Sequence, residues 1–352
     1  MSPTLKLFLI YATLVTCPSV QAFADGGAKW PAYPLRGANI VTSISETDLW
    51  KLADWKVNSV RLLHLGLISD KAPYQTDAKE LEATFKVIDL SLKLGFYTIL
   101  CPGASMDNHD AFFSNKEFRT AFKELWKGIA HRYKDDKRGI AYDLFNEPHD
   151  ALASKEWPGY ARELTQAIRE IDPVHTLIVE PAAWAWPDGF KDFRPTGDKN
   201  TVYSFHFYAP MDFTHLRGRD AKGGFTGMLN ATEEQRQERK YPGLLEGELW
   251  NKAKLKKSIS SALKFRNRYH VKIWCGEFGT CRWAIGAKQW YQDMIETMES
   301  EKVGWSYYSF REWHAMDIEM APNVVNQPTP RDETEMTKLF KSYFVKDQTP
   351  PK

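Results

Sequence analysis

The sequence has little net charge and little cysteine. Its 352 residues contain 47 Lys and Arg against 45 Asp and Glu, which leaves a formal charge of +2. This balance offers no electrostatic basis for binding nucleic acid, so we predict no nucleic-acid partner. Three of its four cysteines are Cys101, Cys275 and Cys281. Their spacing fits neither a disulfide framework nor a Cys/His metal site, although a bond between Cys275 and Cys281 stays open.

Long apolar runs are missing beyond the N-terminus. Residues 1–22 combine a basic Lys6, an apolar stretch over 7–15 and a final small-x-small triplet, which together predict a secretory signal peptide. We therefore expect residues 23–352 to form a secreted or periplasmic protein with no integral membrane segment. A buried N-terminal helix, or a lipid anchor on Cys17, remains an alternative reading of the same stretch.

A glycine-rich nucleotide loop is also missing, but short β-branched runs alternate with amphipathic stretches along the whole chain. Helical patterns between the runs include Trp157–Ile171 and Asn251–Tyr269. The predicted strands are Leu35–Val41, Val57–His64, Phe96–Pro102, Gly139–Phe145, Thr176–Pro181, Thr201–Tyr208, Val271–Gly276 and Gly304–Phe310. Eight such alternations predict an α/β fold, a (β/α)8 TIM barrel forming a single domain. The competing fold is an open doubly wound sheet, whose dinucleotide-binding version the absent loop disfavours.

One connection is unusually long. About forty residues, 211–250, separate the predicted sixth strand from its helix. Long loops in compact domains are usually functional or disordered. In a barrel this insertion would lie on the catalytic face, and a solvated insertion without function is the alternative.

Polar residues stand at the C-terminal ends of several predicted strands, where barrel enzymes carry their catalytic groups. Glu147 and Glu277 end the fourth and seventh strands, which face each other across a barrel mouth. Two opposed carboxylates in unequal environments suit cleavage of a glycosidic bond, since one can be protonated while the other is ionised. A single Glu at either position would instead indicate a structural residue that caps a helix or pairs with a nearby cation.

The motifs around these two residues resemble glycoside hydrolase family 5, the cellulase-type retaining enzymes of the (β/α)8 clan. Residues 141–148 read AYDLFNEP and residues 274–279 read WCGEFG, which are similar to the fourth- and seventh-strand signatures of that family. The stretches 36–40, 60–61 and 204–208 resemble its first, second and sixth strands. The set spans more than 270 residues in the family's order.

The resemblance implies a role for each matching residue. Glu147 would be the general acid/base and Glu277 the nucleophile, with their carboxyl groups about 5 Å apart. Asn146 would bind the sugar 2-hydroxyl, and Arg61 would keep Glu277 ionised. Tyr208 would donate a hydrogen bond to Glu277, with His206 lining the same subsite. Tyr308, Trp184 and Trp313 are the predicted sugar-stacking residues, and no metal or organic cofactor is expected.

The sequence departs from the family at two places. The third strand lacks the histidine that the family often has there, and His64 or Asn108 is a candidate to fill the space. Tyr308 stands where the family usually presents a tryptophan. These two differences bear on substrate specificity and leave the predicted reaction type unchanged, since neither involves Glu147 or Glu277.

The combined expectation is a secreted retaining glycoside hydrolase acting on a β-linked gluco- or manno-oligosaccharide or polysaccharide, with endo-β-1,4-glucanase as the best single assignment. A β-mannanase, an exo-β-1,3-glucanase and a glycolipid glycosidase of the same family remain alternatives. A catalytically inactive carbohydrate-binding barrel is the alternative outside the enzymes.

Overall fold

The computed structural model describes residues 29–105, 108–219 and 222–346, so the predicted signal peptide (1–22) lies outside the described residues. The strands are β1 (Arg36–Val41), β2 (Ser59–His64), β3 (Tyr97–Pro102), β4 (Ile140–Asp143), β5 (Thr176–Val179), β6 (Thr201–Phe207), β7 (Gly218–Arg219), β8 (Phe225–Thr226), β9 (Gly243–Leu245), β10 (Glu248–Trp250), β11 (Lys272–Phe278) and β12 (Gly304–Tyr307). The helices are α1 (Glu46–Asp54), α2 (Ala78–Lys93), α3 (His109–Ser114), α4 (Lys116–Tyr133), α5 (Asp150–Arg169), α6 (Met211–Thr214), α7 (Glu233–Glu238), α8 (Lys252–Ser258), α9 (Ser260–Tyr269), α10 (Ala287–Ser300) and α11 (Glu335–Phe344).

Eight parallel strands close into a barrel in the order β1-β12-β11-β6-β5-β4-β3-β2. Helices connect them on the outside, so the predicted (β/α)8 barrel is confirmed. Among the described helices, none is both long enough and apolar enough to cross a membrane. Cys101, Cys275 and Cys281 are buried and free, so Cys275 and Cys281 do not form a bond.

Two helix predictions were wrong in extent. The helix predicted from Trp157 begins earlier, at Asp150, because Ala153 and Trp157 lie on the same buried face as Ala161 and Leu164. The helix continues through Pro158. The helix predicted over Asn251–Tyr269 is two helices, because the chain leaves helical geometry at Ile259 (φ −90°, ψ 3°), whose side chain is fully buried.

The barrel interior has an apolar lower half and a polar upper half. Ile99, Ile178 and Trp274 fill the lower half, and Trp30 packs across its base at 5.6 Å from the Trp274 ring. Burying such side chains contributes roughly 1.5–3 kcal/mol each. The polar upper half, at the C-terminal ends of the strands, holds the fully buried Asn39, Arg61, Cys101, Asp143 and Glu180.

The long insertion packs onto the rest of the barrel. Phe213 is fully buried, and the hydroxyl group of Tyr241 donates to Asp293 of α10 at 2.7 Å. The β9–β10 hairpin and the short β7–β8 pair lie within the insertion. The insertion follows β6, and its first residues lie at the C-terminal end of the barrel strands.

Candidate active site

Glu147 lies in a strained turn beyond β4. Its φ is +46°, in the left-handed region that non-glycine residues seldom adopt, and it precedes a proline. Such a conformation costs on the order of 1–3 kcal/mol and persists only where surrounding contacts enforce it. The backbone N–H of Glu147 donates to Oε2 of Glu180 at 2.6 Å, which is one such contact.

Glu277 is directed into the mouth by an irregularity in β11. Cys275 is paired with Phe205, whereas Glu277 is paired with His206, so Gly276 is an extra residue in the ladder. Bulges of this kind re-aim side chains next to active sites. A Cβ atom on residue 276 would lie 2.5 Å from Oγ of Ser204, so only glycine fits the close approach to β6.

The two carboxyl groups come together over His206. An oxygen of Glu147 and an oxygen of Glu277 lie within 4.8 Å of each other. Nδ1 of His206 is 2.7 Å from Oε1 of Glu147 and 3.6 Å from Oε2 of Glu277. The hydroxyl group of Tyr208 donates to Oε2 of Glu277 at 2.7 Å.

Arg61, in the middle of β2, anchors the floor of the site. Its Nη1 lies 2.6 Å from Oε1 of Glu277, and its Nε donates to Oδ2 of Asp143 at 2.8 Å. Its Nη2 donates to Oε1 of Glu180 and to Oδ1 of Asn146, both at 2.9 Å. Because the Arg61 contact uses the amide oxygen of Asn146, the NH₂ group of Asn146 is the part available to the cleft.

The charges in this site are unequal. Burial raises the pKa of Glu147, reinforced by the charges of Glu277 and Glu180 and opposed by the His206 hydrogen bond. Burial likewise raises the pKa of Asp143 to about 7. Burial also disfavours charge on Glu180, but His206 and Arg61 outweigh it and lower the pKa of Glu180. Of the two neighbouring carboxyl groups, Glu147 is therefore more readily protonated than Glu180.

The pKa of His206 follows from burial and from the three carboxylates around it, those of Glu180, Glu277 and Glu147. Burial disfavours the charged imidazolium, but the charges of Glu180 and Glu277 raise the pKa of His206 well above its ordinary value. Nε2 of His206 lies 3.1 Å from Oε1 of Glu180. That contact is an ion pair rather than a well-aligned hydrogen bond, since Nε2 has no acceptor in line with its N–H.

The residues above the carboxylates form a cleft of about 610 Å³. Its lining is largely aromatic and apolar and includes Trp184, Tyr308 and Trp313, the three residues predicted to stack on sugar. The lining residues are Leu63, Leu65, Asn146, Glu147, Trp184, Trp186, Tyr208, Met211, His215, Arg217, Glu277, Tyr308, Trp313 and Met316.

Trp184 is presented to the cleft by a turn of three left-handed residues, Ala183, Trp184 and Ala185, with φ of 71°, 59° and 52°. Its indole ring stacks on the imidazole of His149, and the backbone N–H of Trp184 donates to the backbone carbonyl of Pro148 at 3.1 Å. The indole is 38% exposed, which leaves its other face open to a ligand.

Tyr308 closes the opposite side of the cleft. Its hydroxyl group donates to Oε1 of Glu312 at 2.8 Å, and its ring meets that of Tyr208 edge to face. Burial raises the pKa of Glu312, with the nearby charge of Glu277 as a further cause. The polar end of Tyr308 is thus satisfied away from the cleft, so the ring is free to face a ligand.

All nine residues predicted for the site lie at this end of the barrel. Arg61 and His206 lie behind the carboxylates, and the remaining seven line the cleft. The suggestion that His64 or Asn108 fills the space of the missing third-strand histidine was wrong. His64 turns away to Oγ1 of Thr84 at 2.9 Å, and Asn108 donates to Ser105 at 3.0 Å.

The sequence interpretation missed Glu180, Asp143 and Arg217. Glu180 directly follows the apolar strand β5. A polar residue in that position is the sequence feature that could have indicated a site residue. Asp143 lies inside the motif around Glu147 but was given no role. Arg217 lies in the long insertion, where nothing in the sequence distinguishes it from other charged residues.

Metal-ligating groups approach each other at three places among the described residues. Glu147, His206 and Glu277 form one group, but ring nitrogen Nδ1 of His206 already contacts both carboxylates. His109 and His149 belong to another, but their rings stack face to face at 3.4 Å, so their in-plane lone pairs cannot meet at one ion. In the third group, Arg61 supplies the cation that Cys101, Asp143 and Glu180 surround.

The chain is similar in sequence to several bacterial cellulases. It is 29% identical to endoglucanase C of Acetivibrio thermocellus over 229 residues, covering 59% of this chain and 63% of that protein. It is 26% identical to cellodextrinase A of Ruminococcus flavefaciens over 248 residues, covering 67% of this chain and 68% of that protein. The aligned region thus spans less than two thirds of the length of endoglucanase C.

Solved structures share the fold. Endoglucanase Cel5A of Thermotoga maritima superposes with a TM-score of 0.67 at 22% identity, covering 80% of this chain and 91% of that one. The cellulose synthase subunit Z of Clostridioides difficile gives a TM-score of 0.65 at 21% identity, covering 89% and 100%. The family model described as cellulase (glycosyl hydrolase family 5) matches residues 24–312. The chain therefore belongs to glycosyl hydrolase family 5, the cellulase family.

Proposed function

We propose that this chain is a retaining endo-β-1,4-glucanase that cleaves β-linked glucan by double displacement. The observation that carries the proposal is the approach of a Glu147 oxygen to a Glu277 oxygen within 4.8 Å, beside a cleft lined by aromatic rings. Retaining glycosidases need their carboxyl groups about 5 Å apart, whereas inverting enzymes leave roughly 6.5–9.5 Å for a water molecule.

In the first step, the carboxylate of Glu277 attacks the anomeric carbon as the bond to the leaving oxygen breaks. The protonated carboxyl group of Glu147 gives its proton to that oxygen. The contacts to Arg61 and Tyr208 orient the nucleophile, since each holds one of its oxygens. The NH₂ group of Asn146 is placed to donate to the sugar 2-hydroxyl.

In the second step, Glu147 is a carboxylate and takes a proton from water. The water oxygen attacks the anomeric carbon, and the bond to Glu277 breaks. Two inversions at the same carbon leave the β configuration unchanged. No step needs a metal or an organic cofactor, because Glu147 and Glu277 supply both proton transfer and nucleophile.

The choice of a β-1,4-glucan rests on the named activities of the relatives, endoglucanase and cellodextrinase. A mannan is the second candidate, because the Thermotoga maritima protein of the same fold has been crystallised with both cellobiose and mannotriose. A neutral sugar chain also fits a protein of near-zero net charge, whose cleft offers aromatic rings for stacking rather than a strong electrostatic field. Secretion of the chain, through its first 22 residues, is part of the same proposal.

The deciding experiment is a panel of soluble β-1,4-glucan, β-1,3-glucan, β-mannan and glucosylated lipid, with product lengths and anomeric configuration followed over time. We expect β-anomeric oligosaccharides of mixed length from the β-1,4-glucan. Release of α-anomers first would contradict retention, and single sugars alone would contradict endo action. Binding without any cleavage would instead support a non-catalytic carbohydrate-binding barrel.

A further inference from the structure

A third acidic residue, Glu180, lies fully buried directly beneath the catalytic pair at the end of β5. Each of its oxygens has a separate contact. Oε2 accepts the backbone N–H of Glu147 at 2.6 Å, and Oε1 accepts from Nη2 of Arg61 at 2.9 Å and lies 3.1 Å from Nε2 of His206. A carboxylate can accept several such donors at once.

The contact with Glu147 acts on a strained residue. Glu147 has a left-handed backbone conformation despite preceding a proline. Its N–H points into the barrel, away from water, and would be costly to bury without an acceptor. The carboxylate of Glu180 provides that acceptor and therefore favours the one backbone geometry that directs the Glu147 side chain towards the cleft.

The contact with His206 acts on the hydrogen bond of the Glu147 carboxyl group. The imidazole lies between the two acidic residues, with Nε2 facing Glu180 and Nδ1 facing Glu147. A negative charge on Glu180 keeps a proton on Nε2. Because the pKa of His206 is raised well above its ordinary value, Nδ1 is protonated too and donates to Oε1 of Glu147. The other oxygen of Glu147 is then the one that carries the proton to be transferred.

We propose that Glu180 is a positioning residue of the reaction, which fixes the backbone of Glu147 and holds the imidazole of His206 against its carboxyl group. This role rests on the proposed function of Glu147 as acid/base. Glu180 does not line the cleft, so it acts on the substrate only through the residues it contacts, Glu147, His206 and Arg61.

The proposal predicts that replacing Glu180 changes the pH dependence of kcat/KM. The size of that change depends on the charged and titratable groups that face Glu180. Removal of its negative charge makes loss of a proton from the His206 and Glu147 pair easier, which moves the basic limb of kcat/KM to lower pH. Asp143 accepts from the same guanidinium and its charge also interacts with His206, but within the described part of the chain no hydrogen bond joins it to Glu147 or His206, so it serves as the comparison. The groups around Glu180 are Arg61, Cys101, Asp143, Glu147 and His206, with Glu277 on the far side of Arg61.

The test compares Glu180→Gln with Asp143→Asn and with Glu170→Gln, a change at an exposed glutamate that follows α5. Each variant is assayed on cellotetraose, whose leaving group needs a proton, and on 2,4-dinitrophenyl β-cellobioside, whose leaving group does not. For Glu180→Gln we expect kcat/KM on cellotetraose to fall about 30-fold, part of the 10²–10⁴ that general acid catalysis supplies. On the dinitrophenyl glycoside it should stay within about threefold of wild type, and the basic limb should move down by about one pH unit.

Several results would overturn this role for Glu180. They are equal losses on both substrates, an unmoved basic limb, or the same pH shift in Asp143→Asn. If Glu180→Gln does not fold, Glu180→Asp keeps the charge but shortens the reach. It should leave the basic limb in place and still lower kcat/KM on cellotetraose. An unchanged kcat/KM on cellotetraose in this variant would also contradict the role. A wild-type protein inactive on both substrates would instead refute the proposed function itself.

Discussion

The indole ring of Trp184 lies parallel to the imidazole ring of His149, with 3.6 Å between ring centroids and 10° between planes. The stack continues to His109, whose ring is 3.4 Å from that of His149. His149 also contacts the carbonyl oxygen of Glu147 through Nδ1 at 2.8 Å. The aromatic wall of the cleft and the turn that carries Glu147 are therefore parts of one packed unit.

This stack predicts a binding role for Trp184. Replacement by alanine should remove the exposed ring face and raise KM for cello-oligosaccharides about tenfold, corresponding to roughly 1.5 kcal/mol of stacking and burial. The measurement is steady-state kinetics on cellotetraose and cellohexaose. Trp50→Ala, on α1 outside the cleft, is the matched control and should leave KM unchanged. An unchanged KM in Trp184→Ala would remove this ring from the proposed substrate site.

Substitution of the proposed nucleophile gives the most direct test of mechanism. Glu277→Gln keeps the shape of the side chain but cannot form the covalent intermediate, so kcat should fall by at least about 10⁴-fold. Calorimetric titration with cellotetraose should still show binding, because the aromatic walls are intact. A folded Glu277→Gln protein with near-normal turnover would refute the assignment of Glu277.

The pair formed by Glu147 and His206 predicts a shift of opposite sign to that of Glu180→Gln. The His206 hydrogen bond lowers the pKa of Glu147, against burial, which raises it. His206→Asn should therefore allow the pKa of Glu147 to rise, and the basic limb of kcat/KM should move to higher pH while kcat itself falls. A pH profile of kcat/KM between pH 4 and 9 measures both; a limb that moves to lower pH would contradict the arrangement.

Much of this site was predictable because strand ends in a barrel converge. Glu147, Glu277, Arg61 and Tyr208 were each found from a polar residue at the end of an apolar run, and the fold brings them within contact distance. Glu180 carried the same signal, but a sequence does not show whether a strand-end carboxylate turns inward or caps the next helix. That direction depends on where β5 leaves the ladder, at Val179.

Other features depend on backbone geometry that residue preferences do not encode. The three left-handed residues around Trp184 contain no glycine, so nothing in the sequence marks the turn that exposes this ring. The extra residue at Gly276 similarly sets the direction of Glu277 through the pairing of β6 and β11. Both features arise from tertiary contacts with the acid/base turn and with β6.

Arg61 predicts the largest effect on stability. Its guanidinium compensates the carboxylates of Asp143, Glu180 and Glu277, with Asp143 and Glu180 fully buried. Arg61→Met leaves these charges unpaired, and breaking a buried pair typically costs about 3–5 kcal/mol. Urea unfolding at pH 7.5 measures the change. Arg132→Met, which breaks an exposed pair with Asp89, is the control and should cost less than about 1 kcal/mol.

The stability deficit of Arg61→Met should also depend on pH. The pKa of Asp143 is raised to about 7 even beside Arg61, and loss of the guanidinium raises it further. Its unfolded value is about 4, so the folded state binds the proton more tightly and gains stability as the pH falls. The deficit relative to wild type should be largest above pH 7 and should shrink towards pH 5, as the uncompensated carboxylates become protonated. A deficit constant from pH 5 to 8 would show that lost packing, rather than unpaired charge, accounts for the effect of Arg61.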